Sequence, residues 1–204
     1  MAVRLKTDDI HCRFHTSEYC KKIMKAFRFL VGISLVFLVH ALACAQDARV
    51  VFKIENKGEF TISLNSKAAP KTCAHIVSLV EKGFYNGLRF HRAEKKPKPF
   101  LVQVGDPSTR DSDINSDRQY RGGSGGGIGK EESGLPNELG AVGLASIPEE
   151  NILGDSQFYI LLTPAKFLDG KYTVFGKISS GMSVVQGIEK GDRIVSARVI
   201  RGPE

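Results

Sequence analysis

The sequence predicts a mainly β fold, a closed antiparallel barrel with helices over its ends. Many short segments alternate apolar and polar residues with a period of two, whereas only two segments have the helical period. Strands and helices do not alternate regularly, which argues against a parallel sheet built from βαβ units. The 204 residues include 21 Gly and no Trp, and this composition favours a body rich in turns over a helical bundle.

The first strand pair is predicted over residues 49–65, RVVFKIENKGEFTISLN. Apolar residues recur at every second position on both sides of Asn56-Lys57-Gly58. Asn and Gly tolerate the backbone conformations that tight hairpin turns require. The segment is therefore interpreted as a β-hairpin.

Residues 69–85, APKTCAHIVSLVEKGFY, follow with helical spacing. Pro70 suits the first turn of a helix, and Gly83 suits its end. Apolar side chains three and four positions apart form one stripe, which we expect to pack against the sheet. The stripe consists of Cys73, Ile76, Val77 and Val80.

The remaining elements are short and are separated by polar connections. Residues 94–99, EKKPKP, contain two prolines and are predicted as an extended loop rather than a hairpin turn. Residues 108–134 are polar and Gly-rich, and are interpreted as one long surface loop. A second short helix is predicted at 182–191. Further strands are predicted at LRFHRA, FLVQVGD, GAVGLASI, SQFYILLT, YTVFGKIS and RIVSARVIRG.

Residues 24–45 have the three-part pattern of a secretory signal peptide. Basic residues precede an apolar run from Phe29 to Val39, and small residues follow it. The run is short against the roughly 20 residues that a membrane-spanning helix needs, although an uncleaved anchor helix is the alternative. Residues 1–23 are polar and lack an apolar period, so we interpret them as a mis-assigned start or an extended leader.

Cleavage after Ala45 leaves residues 46–204 as a single domain, which we expect to be exported and either periplasmic or secreted. Lipidation at Cys44, which would make an envelope lipoprotein, is the alternative. Without it, no stable membrane span is expected. Of the four Cys, only Cys73 lies in the domain, so no internal disulfide is predicted.

The positive charge of the chain belongs mostly to the leader. The whole chain carries a formal net charge of +7. Residues 46–204 contain 22 Lys and Arg against 19 Asp and Glu, a balance of +3. Nucleic-acid binding therefore loses its main support, and no nucleic-acid partner is expected.

The sequence offers little for phosphate, metal or nucleophilic chemistry. The stretch GGSGGGIGKE lacks the preceding strand and the Ser or Thr after Gly129-Lys130 that a phosphate-binding loop needs. The alternative hypothesis of a nucleotide-dependent enzyme is supported by this loop alone. His75 and His91 are the only His after the leader, without Cys or His at ligand spacing, so neither a metal nor another cofactor is expected. Ser156 lies in GDSQF rather than in a GxSxG elbow.

An arginine stands among aromatic residues at FHR, residues 90–92. In a regular strand Phe90 and Arg92 share one face and His91 lies on the other. Arg is almost never buried without a partner or a task, whereas each aromatic alone is more simply a core residue. We therefore expect a cleft around Arg92. Its candidate lining is Phe100, Leu101, Gln103, Gln157, Phe158, Tyr159, Phe167, Leu168 and Tyr172.

Several motifs, in order, resemble the cyclophilin family of peptidyl-prolyl cis-trans isomerases. They are FHR, FLVQVGD, GDSQFYI and LDGKYTVFGK followed by GMSVV, and AAPKTCAHIVSLVEKGFYNGLRFHR resembles the family's first helix and the strand after it. The resemblance covers essentially all of residues 49–200. It implies a closed eight-stranded antiparallel barrel capped by two α-helices, in agreement with the periodicity.

The resemblance also assigns roles to individual residues. Arg92 matches the family's catalytic Arg, and Ile147 lies in an altered segment that would pair with the substrate backbone. Val104 stands where the family usually has the first of two Gly. Phe167 and Tyr172 stand where many members have Trp and His. The implied substrate-binding residues are Phe100, Leu101, Gln103, Ile147, Gln157, Tyr159, Phe167, Leu168 and Tyr172.

The function implied by the resemblance is acceleration of X-Pro bond rotation in exported or periplasmic polypeptides during folding, by a monomer without a cofactor. Cyclosporin-type ligands are a further expectation from the family. The alternative is a non-catalytic Pro-peptide-binding or chaperone module on the same barrel. Arg92 and Gln103 favour the enzyme, whereas the altered segment 146–150 favours the module.

The leader pattern predicts the mature N-terminus. We expect Gln46, or a lipidated Cys44, as the first residue of the protein isolated from its native host, because the small residues before Gln46 suit signal peptidase. Mass spectrometry of the purified chain measures this directly. Detection of intact residues 1–23 would contradict the prediction.

Overall fold

The computed structural model describes residues 48–111, 114, 120–146 and 153–202. The predictions for residues 1–45, including the signal peptide and Cys44, lie outside this part, and so does Ile147. Within the described ranges, no helix is long and apolar enough to span a bilayer. The strands and helices are β1 (Arg49–Ile54), β2 (Gly58–Leu64), α1 (Pro70–Glu81), β3 (Arg92–Glu94), β4 (Leu101–Val104), β5 (Ala141–Leu144), β6 (Phe158–Leu161), β7 (Val174–Ser180), α2 (Met182–Gly187) and β8 (Ile194–Ile200).

The eight strands form one curled antiparallel sheet in the order β3-β4-β6-β5-β7-β2-β1-β8. Helix α1 packs on β8, and α2 packs on β2. The mainly β prediction with eight strands and two helices is confirmed, but closure is only partial. Arg89 bridges to Arg193 and the Phe90 amide donates to the Asp192 carbonyl at 2.9 Å, just before β3 and β8. β3 itself has no ladder to β8 in the described sheet.

The predicted N-terminal hairpin is confirmed. β1 and β2 pair antiparallel from Arg49 opposite Ser63 to Ile54 opposite Gly58. Asn56 and Gly58 have φ angles of 58° and 103°, the left-handed conformations that such a turn needs. Inside the sheet the rings of Phe52 and Phe60 stack with centroids 5.2 Å apart.

Helix α1 begins at Pro70, as predicted, and ends two residues before Gly83. Its stripe buries Cys73, Ile76 and Val80 in the core, while Val77 is half-buried at the margin. Pro70 suits this start because a first-turn residue needs no N–H for the helix. The apolar period together with Pro70 and Gly83 was sufficient to predict this element.

The N-terminus of α1 is capped from far away in the chain. Ala69, at the N-cap position, has no capping side chain. Instead the Glu131 carboxylate accepts from the backbone amides of Lys71 and Thr72 at 3.0 and 2.7 Å and from the Thr72 hydroxyl at 2.6 Å. Two of the amides that a helix start leaves without a partner are thereby satisfied.

The core lies on the concave face of the sheet and beneath α1. Its aromatic centre is the ring of Phe158, which contacts the rings of Phe52, Tyr85 and Phe175. Burying a side chain of this kind contributes about 1.5–3 kcal/mol. The prediction that Phe158 lines the cleft is therefore wrong, since its side chain is fully buried on the opposite face of β6 from Tyr159.

Residues 95–100 correct the loop prediction for EKKPKP. β3 and β4 pair antiparallel, with Arg92 opposite Gln103 and Glu94 opposite Leu101. The Phe100 amide also donates to the Glu94 carbonyl at 2.8 Å. The connection is thus a hairpin loop, long enough to carry both prolines outside the ladder.

Phe90 corrects the face predicted for FHR. Its side chain is fully buried in the core with Val102 and Val104, whereas Arg92 lines a cleft on the outer face. The period of two does not reach back to Phe90 because β3 begins only at Arg92. His91, between them, is buried as well.

The core also explains Val104, where the resembling family usually has Gly. The Val104 side chain is fully buried and packs in the core. The backbone constraint lies at Gly105, which has a φ of 118°, and a Cβ there would overlap the backbone of Ser156 and Gln157. Of these two positions, 104 and 105, only Gly105 therefore requires the absence of a side chain.

The Gly-rich loop is irregular, as predicted, but it is not merely a surface loop. Its described residues, 108–111, 114 and 120–134, contain part of a short 3-10 turn, Pro107–Thr109, and one isolated bridge between Ile128 and Gly154. Glu131 caps α1 from this loop, and the Thr173 hydroxyl accepts from the Glu131 amide at 2.9 Å. The loop is thus tied to the body of the domain.

Replacing Glu131 with Ala should destabilise the domain by about 0.5–2 kcal/mol, the range for loss of a helix cap. Burial opposes ionisation of Glu131, but the hydrogen bonds from Thr72 and Lys71 outweigh it and hold the pKa of Glu131 below its ordinary value. A lowered folded-state pKa stabilises the fold above the unfolded-state pKa, and this contribution is lost as pH falls through the folded-state value. The difference between parent and variant in urea unfolding should therefore be present at neutral pH and shrink in acid.

The neighbouring Glu132→Ala is the matched control. Glu132 is mostly exposed and pairs with Lys130, so its loss should change the free energy of unfolding little. Equal effects of the two variants, or a pH-independent difference for Glu131→Ala, would contradict the capping role.

Candidate functional site

A cleft of about 640 Å³ opens on the outer face of β3, β4 and β6. Apart from Phe158, which is buried in the core, the structure brings together there every predicted site residue that it describes, although their roles stay predictions. Ile147 is the one predicted site residue outside the described ranges. The predicted residues that line the cleft are Arg92, Phe100, Leu101, Gln103, Gln157, Tyr159, Phe167, Leu168 and Tyr172.

The strand register explains why these side chains meet. Arg92 of β3 lies opposite Gln103 of β4, and Gln103 lies opposite Tyr159 of β6. The three side chains therefore form a row across the sheet on its outer face. Because successive residues of a strand point to opposite faces, Val102 and Val104 enter the core from the same strand.

Aromatic and aliphatic side chains make one half of the cleft apolar. The rings of Phe100 and Phe167 stack with centroids 5.8 Å apart, and Tyr159 meets Tyr172 edge-on at the same separation. A 3-10 turn, Lys166–Leu168, carries Phe167 and Leu168 to this place. Phe167 is 63% exposed and thus leaves its ring open to a ligand.

Tyr159 forms the floor of the apolar half. Its hydroxyl donates to Asn137 Oδ1 at 2.7 Å, and the Asn137 amides donate to Asp169 Oδ1 at 2.8 and 3.0 Å. Burial, with Tyr172 and Asp169 nearby, raises the pKa of Tyr159, so the phenol stays neutral. The ring lies against Gly143 of β5, where any Cβ would overlap it.

Arg92 stands at the polar side of the cleft. Its Nε donates to Glu94 Oε1 at 2.6 Å, its Nη2 lies 2.6 Å from the same oxygen, and its Nη1 donates to Gln103 Oε1 at 3.2 Å. A guanidinium has five N–H groups, so one remains on each terminal nitrogen for a ligand. Glu94 was not predicted as a site residue, but its i+2 position on the strand of Arg92 was the available signal.

Two glutamines continue the polar row. Gln103 Nε2 donates to Gln157 Oε1 at 3.0 Å, and Gln157 Nε2 donates to the carbonyls of Gly122 and Tyr120 at 2.8 and 3.1 Å. The row therefore runs from Arg92 to the backbone of the Gly-rich loop.

His91, which precedes Arg92 in the chain, is buried and uncharged near neutral pH. Its ring stacks on Tyr120 with centroids 4.8 Å apart. Burial lowers the pKa of His91 to about 4, against the attraction of Asp106 and with the help of Arg92. The Nδ1 atom and the Tyr120 hydroxyl are buried without a hydrogen-bond partner among the described residues.

The Gly-rich loop forms the far wall of the cleft, which the sequence did not predict. Asp155 anchors this wall, because its carboxylate accepts from the Ser124 hydroxyl, from the amides of Gly125 and Gly126 and from His75. Burial opposes the ionisation of Asp155, but these hydrogen bonds outweigh it and lower its pKa. The additional lining residues are Tyr120, Arg121, Gly122, Gly123, Gly125, Gly127, Ala145, Ser146, Leu153 and Asp155.

This wall also bears on the nucleotide alternative. Phosphate loops present free backbone amides to the anion. Here the amides of Gly125 and Gly126 already donate to Asp155, and the Lys130 ammonium donates to the Gly170 carbonyl at 2.7 Å. These two amides are therefore not available to a phosphate.

The arrangement suits binding and polarisation rather than covalent chemistry. The Ser156 hydroxyl is buried and donates to the Gly105 carbonyl at 2.7 Å, and the Cys73 thiol donates to the Phe175 carbonyl. In the described ranges, no three His, Cys, Asp or Glu side chains come together as a metal site. The cleft can hold an apolar ring against Tyr159 and offer it the N–H groups of Arg92.

The chain is similar in sequence to a known protein family. A family described as cyclophilin type peptidyl-prolyl cis-trans isomerase/CLD matches residues 49–201. A probable peptidyl-prolyl cis-trans isomerase of Brucella suis is 35% identical over 173 residues, covering 83% of this chain and 85% of the relative. A peptidyl-prolyl cis-trans isomerase-like 1 protein of Emericella nidulans is 36% identical over 132 residues, covering 63% of this chain and 74% of the relative.

Solved structures show the same fold. A cyclophilin-type isomerase of Cryptosporidium parvum superposes with a TM-score of 0.63 at 23% identity, covering 77% of this chain and 99% of that one. The same protein in the presence of the dipeptide Ala-Pro gives a TM-score of 0.61 at 24% identity, covering 76% of this chain and 99% of that one. A cyclophilin of Hirschia baltica gives 0.55 at 24% identity, covering 74% of this chain and 73% of that one.

Gly143→Ala tests the floor of the cleft. Because the new methyl group would overlap the Tyr159 ring, we expect the variant to lose about 1–3 kcal/mol of stability in denaturant unfolding, the usual cost of overpacking. Gly129→Ala is the control, since a Cβ at Gly129 meets no atom within 4 Å. Equal stability of Gly143→Ala and Gly129→Ala would contradict the close packing of Tyr159 on β5.

Proposed function

This chain belongs to the cyclophilin-type peptidyl-prolyl cis-trans isomerase family and is an isomerase, and we propose that Arg92 is its catalytic group and that exported polypeptides are its substrates. The observation that carries the catalytic proposal is the position of Arg92, which lies beside an apolar pocket with two N–H groups left for a ligand.

Rotation about an X-Pro bond requires no bond to a nucleophile or metal. The barrier of about 18–20 kcal/mol comes from resonance between the imide nitrogen and the carbonyl. An enzyme accelerates this rotation only by interactions that are stronger in the twisted state than in either planar state. A pocket for the pyrrolidine ring and a hydrogen-bond donor near the nitrogen are sufficient.

The cleft supplies both groups. The pocket of Phe100, Tyr159 and Leu168 holds the proline ring, while Arg92 donates to the imide nitrogen and to a neighbouring carbonyl oxygen. In the planar bond the nitrogen lone pair is delocalised and accepts poorly. In the twisted state it is released, so donation from Arg92 strengthens there and lowers the barrier.

The family binds proline-containing peptides, and the related Cryptosporidium parvum isomerase has been crystallised in the presence of the dipeptide Ala-Pro. The leader pattern of residues 24–45 supports exported polypeptides as the substrates of this chain. The N-terminal mass of the native protein tests that part of the proposal. Monomeric action and affinity for cyclosporin-type ligands are proposed from the family resemblance alone, with Phe167 in the place of the Trp that many members have.

A non-catalytic peptide-binding module is the second candidate, and one observation favours it. The Glu94 carboxylate pairs with two N–H groups of Arg92 and partly neutralises the charge of the guanidinium. Both side chains are 43% exposed, so the pair is weak and solvent can compete with it. A protein that binds a Pro peptide without accelerating its isomerisation would support the module.

Arg92→Ala should lower kcat/KM for a Pro peptide by about 10²–10³, as expected for loss of one preorganised donor. Arg92→Lys should recover little, because an ammonium does not present two N–H groups in one plane. Peptide affinity should fall less than the rate, since the apolar pocket remains. A protease-coupled or NMR-exchange assay measures the rate.

Arg198→Ala is the matched control, because Arg198 lies on β8 and pairs with Glu59 away from the cleft. It should isomerise at the parent rate. Parent activity in Arg92→Ala would remove Arg92 from catalysis, and absence of acceleration by the parent itself would favour the binding module.

A further inference from the structure

The nitrogen end of the Gln157 side-chain amide faces three groups that only accept hydrogen bonds. Its Nε2 donates its two N–H groups to the carbonyls of Gly122 and Tyr120 at 2.8 and 3.1 Å, and Asp106 Oδ2, a further acceptor, lies 3.4 Å from the same nitrogen. An amide oxygen in this place would face three acceptors without a proton between them. The surroundings therefore fix which end of the Gln157 amide is nitrogen.

The orientation of the Gln157 amide determines which atom of Gln103 faces Arg92. Because Gln157 Nε2 faces the loop, its Oε1 faces Gln103 and accepts from Gln103 Nε2 at 3.0 Å. Gln103 then presents its Oε1 to Arg92, whose Nη1 donates to it at 3.2 Å. If both amides were reversed, Gln103 would present N–H groups to a guanidinium that has only N–H groups. The polarity of the two amides thus decides whether Arg92 is held or repelled.

Asp106 holds Gly122, the residue that carries the nearer of the two carbonyl acceptors, in place. It is only 1% exposed and accepts from the Gly122 amide at 2.6 Å. The amide and hydroxyl of Ser108 donate to its other oxygen at 2.8 and 2.6 Å, and so fix the carboxylate itself. Gly122 permits this approach, because a Cβ there would lie 2.7 Å from Asp106 Oδ1. The carbonyl that orients Gln157 therefore belongs to a residue anchored by Asp106.

We propose that Asp106 is a positioning residue for Arg92, which it places by anchoring Gly122 and thereby setting the polarity of the Gln157 and Gln103 amides. The proposal rests on the catalytic role proposed above for Arg92. Asp106 itself is not among the described residues that line the cleft, so it acts on the substrate only through the row that ends at Arg92.

Asp106→Asn tests the proposal, because it keeps the size of the side chain but turns one oxygen into an NH₂ group that faces the donors of Gly122, Gln157 or Ser108. We expect kcat/KM for a Pro peptide to fall by roughly 10- to 100-fold, the scale of a misplaced catalytic group. Parent activity in Asp106→Asn would overturn the proposal.

The same change in an Arg92→Ala background distinguishes positioning from support of the fold. If Asp106 acts through Arg92, Asp106→Asn should cost less than about twofold there, within the usual error of additivity. Equal losses in both backgrounds would overturn the proposal while leaving Arg92 catalytic. An Arg92→Ala variant as fast as the parent would instead refute the proposed function, and the role of Asp106 with it.

Asp192→Asn is the matched control, because it makes the same carboxylate-to-amide change at a residue that pairs with Lys57 and does not line the cleft. It should retain parent activity, and a loss equal to that of Asp106→Asn would show that the effect does not depend on the contacts of Asp106 and would overturn the proposal. If Asp106→Asn does not unfold cooperatively, Gln157→Glu is compared in the same two backgrounds instead. The new carboxylate oxygen of Gln157→Glu faces the three acceptors, so the variant should lower kcat/KM in the parent but not in the Arg92→Ala background. Equal losses in both backgrounds would overturn the proposal.

Discussion

Burial of Val102 and Val104 in the core fixes which face of β4 meets solvent, and the site depends on this. Since side chains alternate along a strand, Leu101 and Gln103 must then point outward. The antiparallel register determines which residues of the neighbouring strands point outward, and it places Arg92 and Tyr159 beside Gln103. A slip of the register by one residue would bury Gln103 and expose the core valines. The same strand register therefore both packs the apolar core and aligns the residues of the cleft.

Three carboxylates organise the irregular part of the domain. Asp106, Glu131 and Asp155 each accept backbone amides from another segment, and between them they anchor the Gly-rich loop at both ends of its described part. Backbone amides outside helices and sheets need such partners when water is excluded. The glycines at Gly122 and Gly123 let the backbone approach the carboxylates closely, since a Cβ at either would overlap or crowd one of them. The loop can therefore form a defined wall without regular secondary structure.

The division of the cleft into an apolar and a polar half suits a reaction that changes shape rather than charge. Tyr159 stays neutral because burial disfavours its phenolate, and His91 stays neutral because burial disfavours its cation. The guanidinium of Arg92 lies in a row with the uncharged side chains of Gln103 and Tyr159, while Glu94 balances its charge at the exposed edge. An amide bond that twists needs a donor of this kind, and it needs no group that takes up a proton.

The sequence by itself determined the β1–β2 hairpin and α1, because their periods of two and of about 3.6 are carried by consecutive residues. Together with the resemblance, it also identified nine of the residues that line the cleft, but not the wall formed by the Gly-rich loop. Only the tertiary structure decided that Phe90 enters the core, because the local period holds only where the strand continues, and β3 begins at Arg92. It also decided that Glu131 caps α1 and that Glu94 pairs with Arg92. A cap supplied from about 60 positions away leaves no local pattern, since it depends on how the chain folds back on itself.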